Sequence, residues 1–283
     1  MRKLKRSARL VEMTQYLLIH PHLLIPLTTF AERYNAAKSS VSEDLAIIKE
    51  VFESEGLGRL HTLAGAAGGV KYIPQIPKDL SLEMIKKICQ LLEEPGRILP
   101  GGYLYMSDIL GQPVYINEIG KMFASIFSNL EIDVIMTVET KGIPLAYAVA
   151  SYLNIPVVIV RRDNKVTEGS AVSINYVSGS NKKIRMMTLS RRALNEQSKV
   201  LIIDDFMKAG GTVQGMKDLL EEFNAKVVGV GVFVESREKG YEENLITDYV
   251  SLAKITSVEL KSKKISVCPG NYFENNKGDY DIP

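Results

Sequence analysis

Tryptophan is absent from this 283-residue chain, cysteine occurs twice and histidine three times. Cys89 and Cys268 stand far apart with no partner at metal-ligand spacing, so neither a disulfide scaffold nor a zinc site is expected, and a reducing compartment is. The histidines are His20, His22 and His61. Nothing beyond His61 can supply an imidazole to a Ser-His, Cys-His or His-metal arrangement, so chemistry in the larger part of the chain falls to carboxylates, lysines, hydroxyls or backbone amides. No run approaches ~18 consecutive apolar residues, and the start, Met-Arg-Lys-Leu-Lys-Arg, leads into an amphipathic stretch instead of a signal-peptide block. A cytoplasmic chain with no membrane association is the expectation. What remains is ordinary globular material, 46% apolar and 24% charged, with length for about two domains of ~100 to 200 residues each.

The formal net charge of +2 hides a segregation. Residues 1–74 hold 10 Lys and Arg against 7 Asp and Glu, whereas residues 75–283 hold 25 against 26. Five cations, Arg2, Lys3, Lys5, Arg6 and Arg9, open the chain with no acid among them, a composition suited to neutralising phosphates. Behind this arm, Leu10, Val11, Met13, Leu17 and Leu18 recur at helical spacing from Ser7 to His20, where Pro21 stops the helix. A short second helix through Tyr34 is expected, with Thr29 and Glu32 at capping-box spacing, then a turn at Asn35-Ala36-Ala37. Ser40 and Glu43 form a second such box ahead of Val41, Leu45, Ile48 and Phe52, one apolar stripe of a third helix.

Helix, short helix, turn and helix is the helix-turn-helix plan, whose third element would present Lys38, Ser39, Ser40 and Ser42 to base edges and phosphates. Leu57 to Leu63 and Val70 to Ile73 then read as two strands joined by a glycine-rich tip, a hairpin carrying Arg59, His61 and Lys71. That hairpin resembles the wing of a winged helix. The sequence therefore divides into a winged-helix DNA-binding domain at 1–74 and a second domain at 75–283.

From residue 131 strands alternate with helices. Ile132–Val138, Ile155–Val160, Lys199–Ile203 and Val227–Glu235 read as strands, and Ile143–Leu153 and Thr212–Phe223 as helices. Continuous apolar runs suit strands buried on both faces, hence a parallel α/β sheet whose ligands sit at the carboxyl ends of its strands. The sharpest string is there: Ile203-Asp204-Asp205-Phe206-Met207-Lys208-Ala209-Gly210-Gly211-Thr212. Two carboxylates can hydrogen-bond a vicinal ribose diol, Gly210 and Gly211 let backbone amides wrap a phosphate, and Lys208 and Thr212 add charge and a hydroxyl.

This string resembles the phosphoribosyl pyrophosphate (PRPP) signature of type I phosphoribosyltransferases, with Ala209 where the family most often has Thr. Thr140-Lys141-Gly142 resembles the family's pyrophosphate loop. Residues 161–199 carry 9 Lys and Arg against 3 Asp and Glu, a polar stretch with a mobile look. In the same family the equivalent stretch is a flexible hood over the pyrophosphate, and Arg161 and Arg162 take the place of a basic pair near it. The winged-helix and phosphoribosyltransferase-like parts together resemble the purine operon repressors of Gram-positive bacteria, from the arm to about residue 250. Lys38 to Asp44, the Gly-Ala-Ala-Gly-Gly-Val tip, Leu99 to Tyr103, Asn164 to Ser170 and Ile203 to Gly211 carry that resemblance.

The resemblance implies a homodimer that binds duplex promoter DNA of purine genes and is released by PRPP without catalytic turnover. Whether magnesium accompanies PRPP is left open. It further implies that Tyr103 lines the nucleotide site and that a guanine alarmone competes there. No resident cofactor and no metal site are expected. Two rivals stand beside this reading: a purine phosphoribosyltransferase with an added domain, and an RNA-binding regulator, the latter disfavoured because such helices and wings suit duplex DNA grooves. The tail after about Ser257 has no assignment.

Overall fold

A computed structural model of the chain describes residues 4–65, 68–99, 103–163, 169–178, 183–236, 245–259, 262 and 264–274. The first part runs α1 (Arg6–Ile19), β1 (Ile25–Pro26), α2 (Leu27–Tyr34), α3 (Lys38–Ser54), β2 (Gly58–Leu63) and β3 (Gly69–Pro74). The strands form an antiparallel sheet in the order β1-β3-β2. Its buried face, with Leu60, Val70 and Tyr72, closes over Met13 and Leu17 of α1, Phe30 of α2 and Val41, Ile48 and Phe52 of α3.

Neither capping box forms: α2 starts after Pro26 and α3 after Ala37, both extended and without a side-chain cap. Thr29, Glu32, Ser40 and Glu43 therefore lie inside helices. Asn35 takes the left-handed conformation that ends α2, and the short turn it makes lets α3 begin at Lys38, before Ser40 can cap anything. Val11 and Leu18, grouped with the apolar stripe of α1, are exposed, because they sit about 100° per residue away from the buried Met13 and Leu17.

The second part continues through α4 (Lys78–Leu92), β4 (Ile98–Leu99), β5 (Tyr103–Leu104), α5 (Ser107–Leu110), α6 (Pro113–Ile126), β6 (Val134–Val138), α7 (Gly142–Leu153) and β7 (Val157–Val160). It ends with β8 (Ala171–Ser178), β9 (Lys183–Ser190), β10 (Lys199–Met207), α8 (Gly211–Glu221), β11 (Lys226–Ser236), β12 (Val250–Glu259), β13 (Lys264–Pro269) and α9 (Asn271–Glu274). One sheet runs in the order β13-β12-β11-β10-β6-β7, parallel throughout except for the β12–β13 pair.

The lack of polar alternation along β10 has its reason in two cores. Leu201 and Ile203 point to one face, with Phe123, Leu145 and Phe233; Val200 and Ile202 point to the other, with Met136, Met216 and Leu219. Each such side chain, fully buried, is worth about 1.5–3 kcal/mol. The polar stretch after Arg162 is not featureless: β8 and β9 make an antiparallel hairpin in register from Ala171↔Ser190 to Ser178↔Lys183. The signal was the alternation Val172, Ile174, Tyr176, whose last member packs against Gly215 of α8. The unassigned tail supplies the antiparallel edge strand β13 and α9.

Candidate nucleic-acid interface and effector site

On the winged-helix side, Lys38 and Ser39 occupy the first turn of α3 and, with Ser42, are exposed; Ser40 is half-buried. In the wing, burial alternates along β2, so Arg59 and His61 face outward while Leu60 faces the core. Lys71 is the cross-strand partner of His61, which places Arg59, His61 and Lys71 on one face of the hairpin. The arm divides. Arg2 and Lys3 lie outside the described residues, as do the wing-tip residues 66 and 67, while Lys5 and Arg6 are exposed. Arg9 is held inward: its Nε donates to Oδ2 of Asp44 at 2.5 Å, and only 13% of its side chain is exposed.

In the second part, the two expected loops meet at the carboxyl edge of the sheet. The end of β10 is longer than the sequence indicated, pairing with β11 through Met207↔Glu235, so Asp204 and Asp205 lie within the strand. Asp204 is buried and Asp205 half-buried. Phe206 and Met207 turn their side chains into the two cores, so any part they take in holding a ligand is through the backbone. The turn Lys208-Ala209-Gly210 follows. Gly210 adopts φ +77°, a conformation that disfavours side chains, and accepts the Gln214 N–H at 2.8 Å as α8 begins at Gly211. Thr212 is half-buried in the first turn of that helix.

Thr140 and Lys141 lead into α7, after a cis peptide between Glu139 and Thr140. Gly142 is the point of contact between the two loops. A Cβ there would run into Thr137 Oγ1, which demands glycine, and would stand at ordinary contact distance, 3.4 Å, from Asp204 Oδ1, so the turn passes close to the acid strand. Thr137 Oγ1 is itself buried without a hydrogen-bond partner. Thr140, Lys141 and Pro144 also line a cleft of about 440 Å³, together with Ser107, Leu110, Gly111, Pro113, Ile116 and Asn117. That volume falls in the range that takes small ligands. Tyr103 starts β5, opposite Leu99, in the pair that adjoins the connection of a two-pair hairpin.

The charges around the acid pair are unbalanced. Burial, then the neighbouring Asp205 charge, pushes the Asp204 carboxyl well above the usual carboxylate range, and Arg162 opposes this from a distance. Burial also raises Asp205, opposed chiefly by Lys141. The Asp205 N–H donates to Asp204 Oδ1 at 3.0 Å. Glu139, which the sequence reading passed over, organises the cations: its Oε1 accepts the Arg162 N–H at 2.8 Å and its Oε2 lies 3.6 Å from the Arg161 guanidinium. Arg161 is also paired through its backbone with Thr188 of β9. An acid directly after a strand, one residue before the pyrophosphate-type loop, was the available clue.

The folded chain thus joins a winged-helix part to an α/β part whose two glycine loops and acid pair converge at one sheet edge, the architecture of a phosphoribosyltransferase-type domain. A family model described as bacterial purine repressor, N-terminal, matches residues 5–74, and the phosphoribosyl transferase domain matches residues 106–267. The chain is 59% identical over 271 residues to the purine biosynthesis transcriptional repressor of Bacillus subtilis, covering 96% of this chain and 94% of that protein. It is 47% identical to the purine biosynthesis transcriptional activator of Lactococcus lactis, over 96% of this chain and all of that one. A xanthine phosphoribosyltransferase of Alkaliphilus metalliredigens is 30% identical over 70% of this chain and 96% of its own length. Among solved structures, an adenine phosphoribosyltransferase from Thermoanaerobacter pseudethanolicus matches with a TM-score of 0.52 at 21% identity, over 59% of this chain and 98% of that one, a likeness of fold. This chain belongs to the family of bacterial purine repressors.

Proposed function

We propose that this protein regulates transcription of purine biosynthesis genes by binding their promoter DNA as a homodimer, and that PRPP releases it without phosphoribosyl transfer. Membership of the repressor family over nearly the whole chain carries the regulatory part. Relatives named in both senses, repressor and activator, match nearly the whole of this chain. No helix among the described residues is long and apolar enough to cross a membrane.

The observation that supports PRPP as the signal is the close approach of Gly142 to Asp204, which puts a pyrophosphate-type loop and a ribose-type acid pair at one edge. Asp204 and Asp205 hold the ribose diol. Amides of Gly210, Gly211 and Thr212 take the 5′-phosphate at the start of α8. Thr140, Lys141 and Gly142, with Arg161 and Arg162, take the pyrophosphate, and Tyr103 covers the nucleotide end, where a guanine alarmone competes. Release follows from linkage: a ligand that prefers the DNA-free form lowers DNA affinity by its own differential affinity.

Calorimetric titration of PRPP into the wild type and into Asp204→Ala and Asp205→Ala tests the site. Saturable binding by the wild type, lost in both variants, is expected; equal binding by all three overturns the assignment. The relation to xanthine phosphoribosyltransferases over part of the chain gives the enzyme reading its one specific support. Incubation with PRPP and purine bases decides it: pyrophosphate release at enzymatic rates makes the protein a transferase, and its absence leaves a sensor.

A further inference from the structure

The buried stripe of α3 contains one charged residue. Asp44 is fully buried beside Val41, Leu45 and Ile48, and both of its carboxylate oxygens are taken by the N-terminal arm. Arg6 Nε donates to Oδ1 at 2.9 Å and Arg9 Nε to Oδ2 at 2.5 Å. The two guanidiniums are one helical turn apart on α1, so a single carboxylate fixes the start of that helix against α3. Arg6 also reaches Glu43 at 3.8 Å, and it remains half-exposed while Arg9 is covered. Glu43 neighbours Ser42 on the open face of α3, the face that also carries Ser39. Lys5, the residue before α1, therefore lies beside that face.

We infer that Asp44 is a positioning residue for DNA recognition, which seats the basic arm at the front of α3 so that arm and helix read duplex DNA as one unit. The inference rests on the DNA-binding reading. Arg9 serves as the anchor and does not touch phosphate; Arg6 bridges anchor and surface; Lys5 is the cation delivered to the duplex. An arm tethered at a fixed place contributes to register and sequence choice, whereas an untethered one contributes charge alone. A buried carboxylate with two guanidiniums is also costly unless both partners stay in place, which ties the arm's position to the stability of the domain.

The test is anisotropy with the full chain on a labelled purine-gene promoter duplex and on a scrambled duplex of equal length. Asp44→Asn keeps the shape and removes the charge. Promoter discrimination is expected to fall about tenfold, the scale of one lost base-pair preference, while scrambled-duplex affinity stays at or above the wild-type level. Arg9→Lys keeps the charge and loses the guanidinium fork, and is expected to cost discrimination about threefold at unchanged scrambled-duplex affinity. Should Asp44→Asn fail to fold by circular dichroism, Arg9→Lys decides. Discrimination equal to wild type in a folded variant, including equal losses or gains on both duplexes, overturns the inference. If the wild type itself shows no promoter preference, the DNA-binding reading falls with it; loss of the inference alone requires a wild type that discriminates and a variant that does so equally.

Discussion

Two buried carboxylate sites in this chain treat charge in opposite ways. Asp44, in the winged-helix part, has a guanidinium on each oxygen, and nothing is left for a ligand to supply. Asp204 and Asp205, in the phosphoribosyltransferase-type part, sit side by side with their cations at a distance, and both carboxyls are pushed up by burial. The first arrangement fixes one helix against another. The second keeps a free-energy cost that a hydroxyl-bearing ligand can relieve by donating hydrogen bonds to the acids. A neutralised buried acid is thus a structural fixture, whereas an unbalanced pair at a sheet's carboxyl edge is what the proposed ligand site requires.

The contrast sharpens or breaks through substitution. The largest effect is expected from Asp205→Ala, which should raise the PRPP concentration needed to release DNA by about 100-fold or more, the loss of two charge-assisted hydrogen bonds. Release at the wild-type PRPP concentration would remove the acid pair from the site. Gly142→Ala comes next: the added methyl meets Thr137 Oγ1 and displaces the loop from Asp204, so PRPP sensitivity should fall about tenfold with DNA affinity intact. Lys38→Ala or Arg59→Ala should each weaken binding to every duplex by about three- to tenfold at low salt and reduce the salt slope by about one, read from titrations at several salt concentrations. An unchanged slope would take that residue off the interface.

The smallest effect concerns stability. Because the Asp204 carboxyl is raised in the folded protein, its ionisation disfavours the fold: that cost is absent below the unfolded carboxylate pKa and grows as pH rises toward the folded one. Asp204→Asn should therefore melt higher than wild type at neutral pH, by about 2–4 °C per kcal/mol relieved, with the gap closing in acid. A lower melting temperature at neutral pH would mean that the carboxylate is better solvated or paired than its burial indicates.

Much of this was legible in the residues themselves. The run Val200 to Ile203 announced a strand buried on both faces, and the acids, glycines and threonine after it announced the loop. The pyrophosphate-type loop was found by its place after a strand, yet its contact with Asp204 was invisible, because Gly142 meets a residue 62 positions away. Asp44 was hidden for a different reason: a stripe drawn through apolar residues passes over a charged one that is buried only because two arginines from another helix neutralise it. Ser-x-x-Glu spacing misled at α3, where backbone geometry at Asn35 and Ala37 set the start of the helix. The edge strand β13 and α9 gave no clear local signal. They are held by distant partners, including the Glu93 carboxylate that accepts the Val267 N–H at 2.7 Å and Asn271, which exchanges hydrogen bonds with Ser251.

The most direct test of the central claim is anisotropy of a labelled purine-gene promoter fragment titrated with the protein, with and without PRPP and magnesium, beside a scrambled duplex. Selective binding to the promoter that PRPP reverses is the expected result. Binding that ignores sequence, or selective binding that PRPP leaves unchanged, would contradict it.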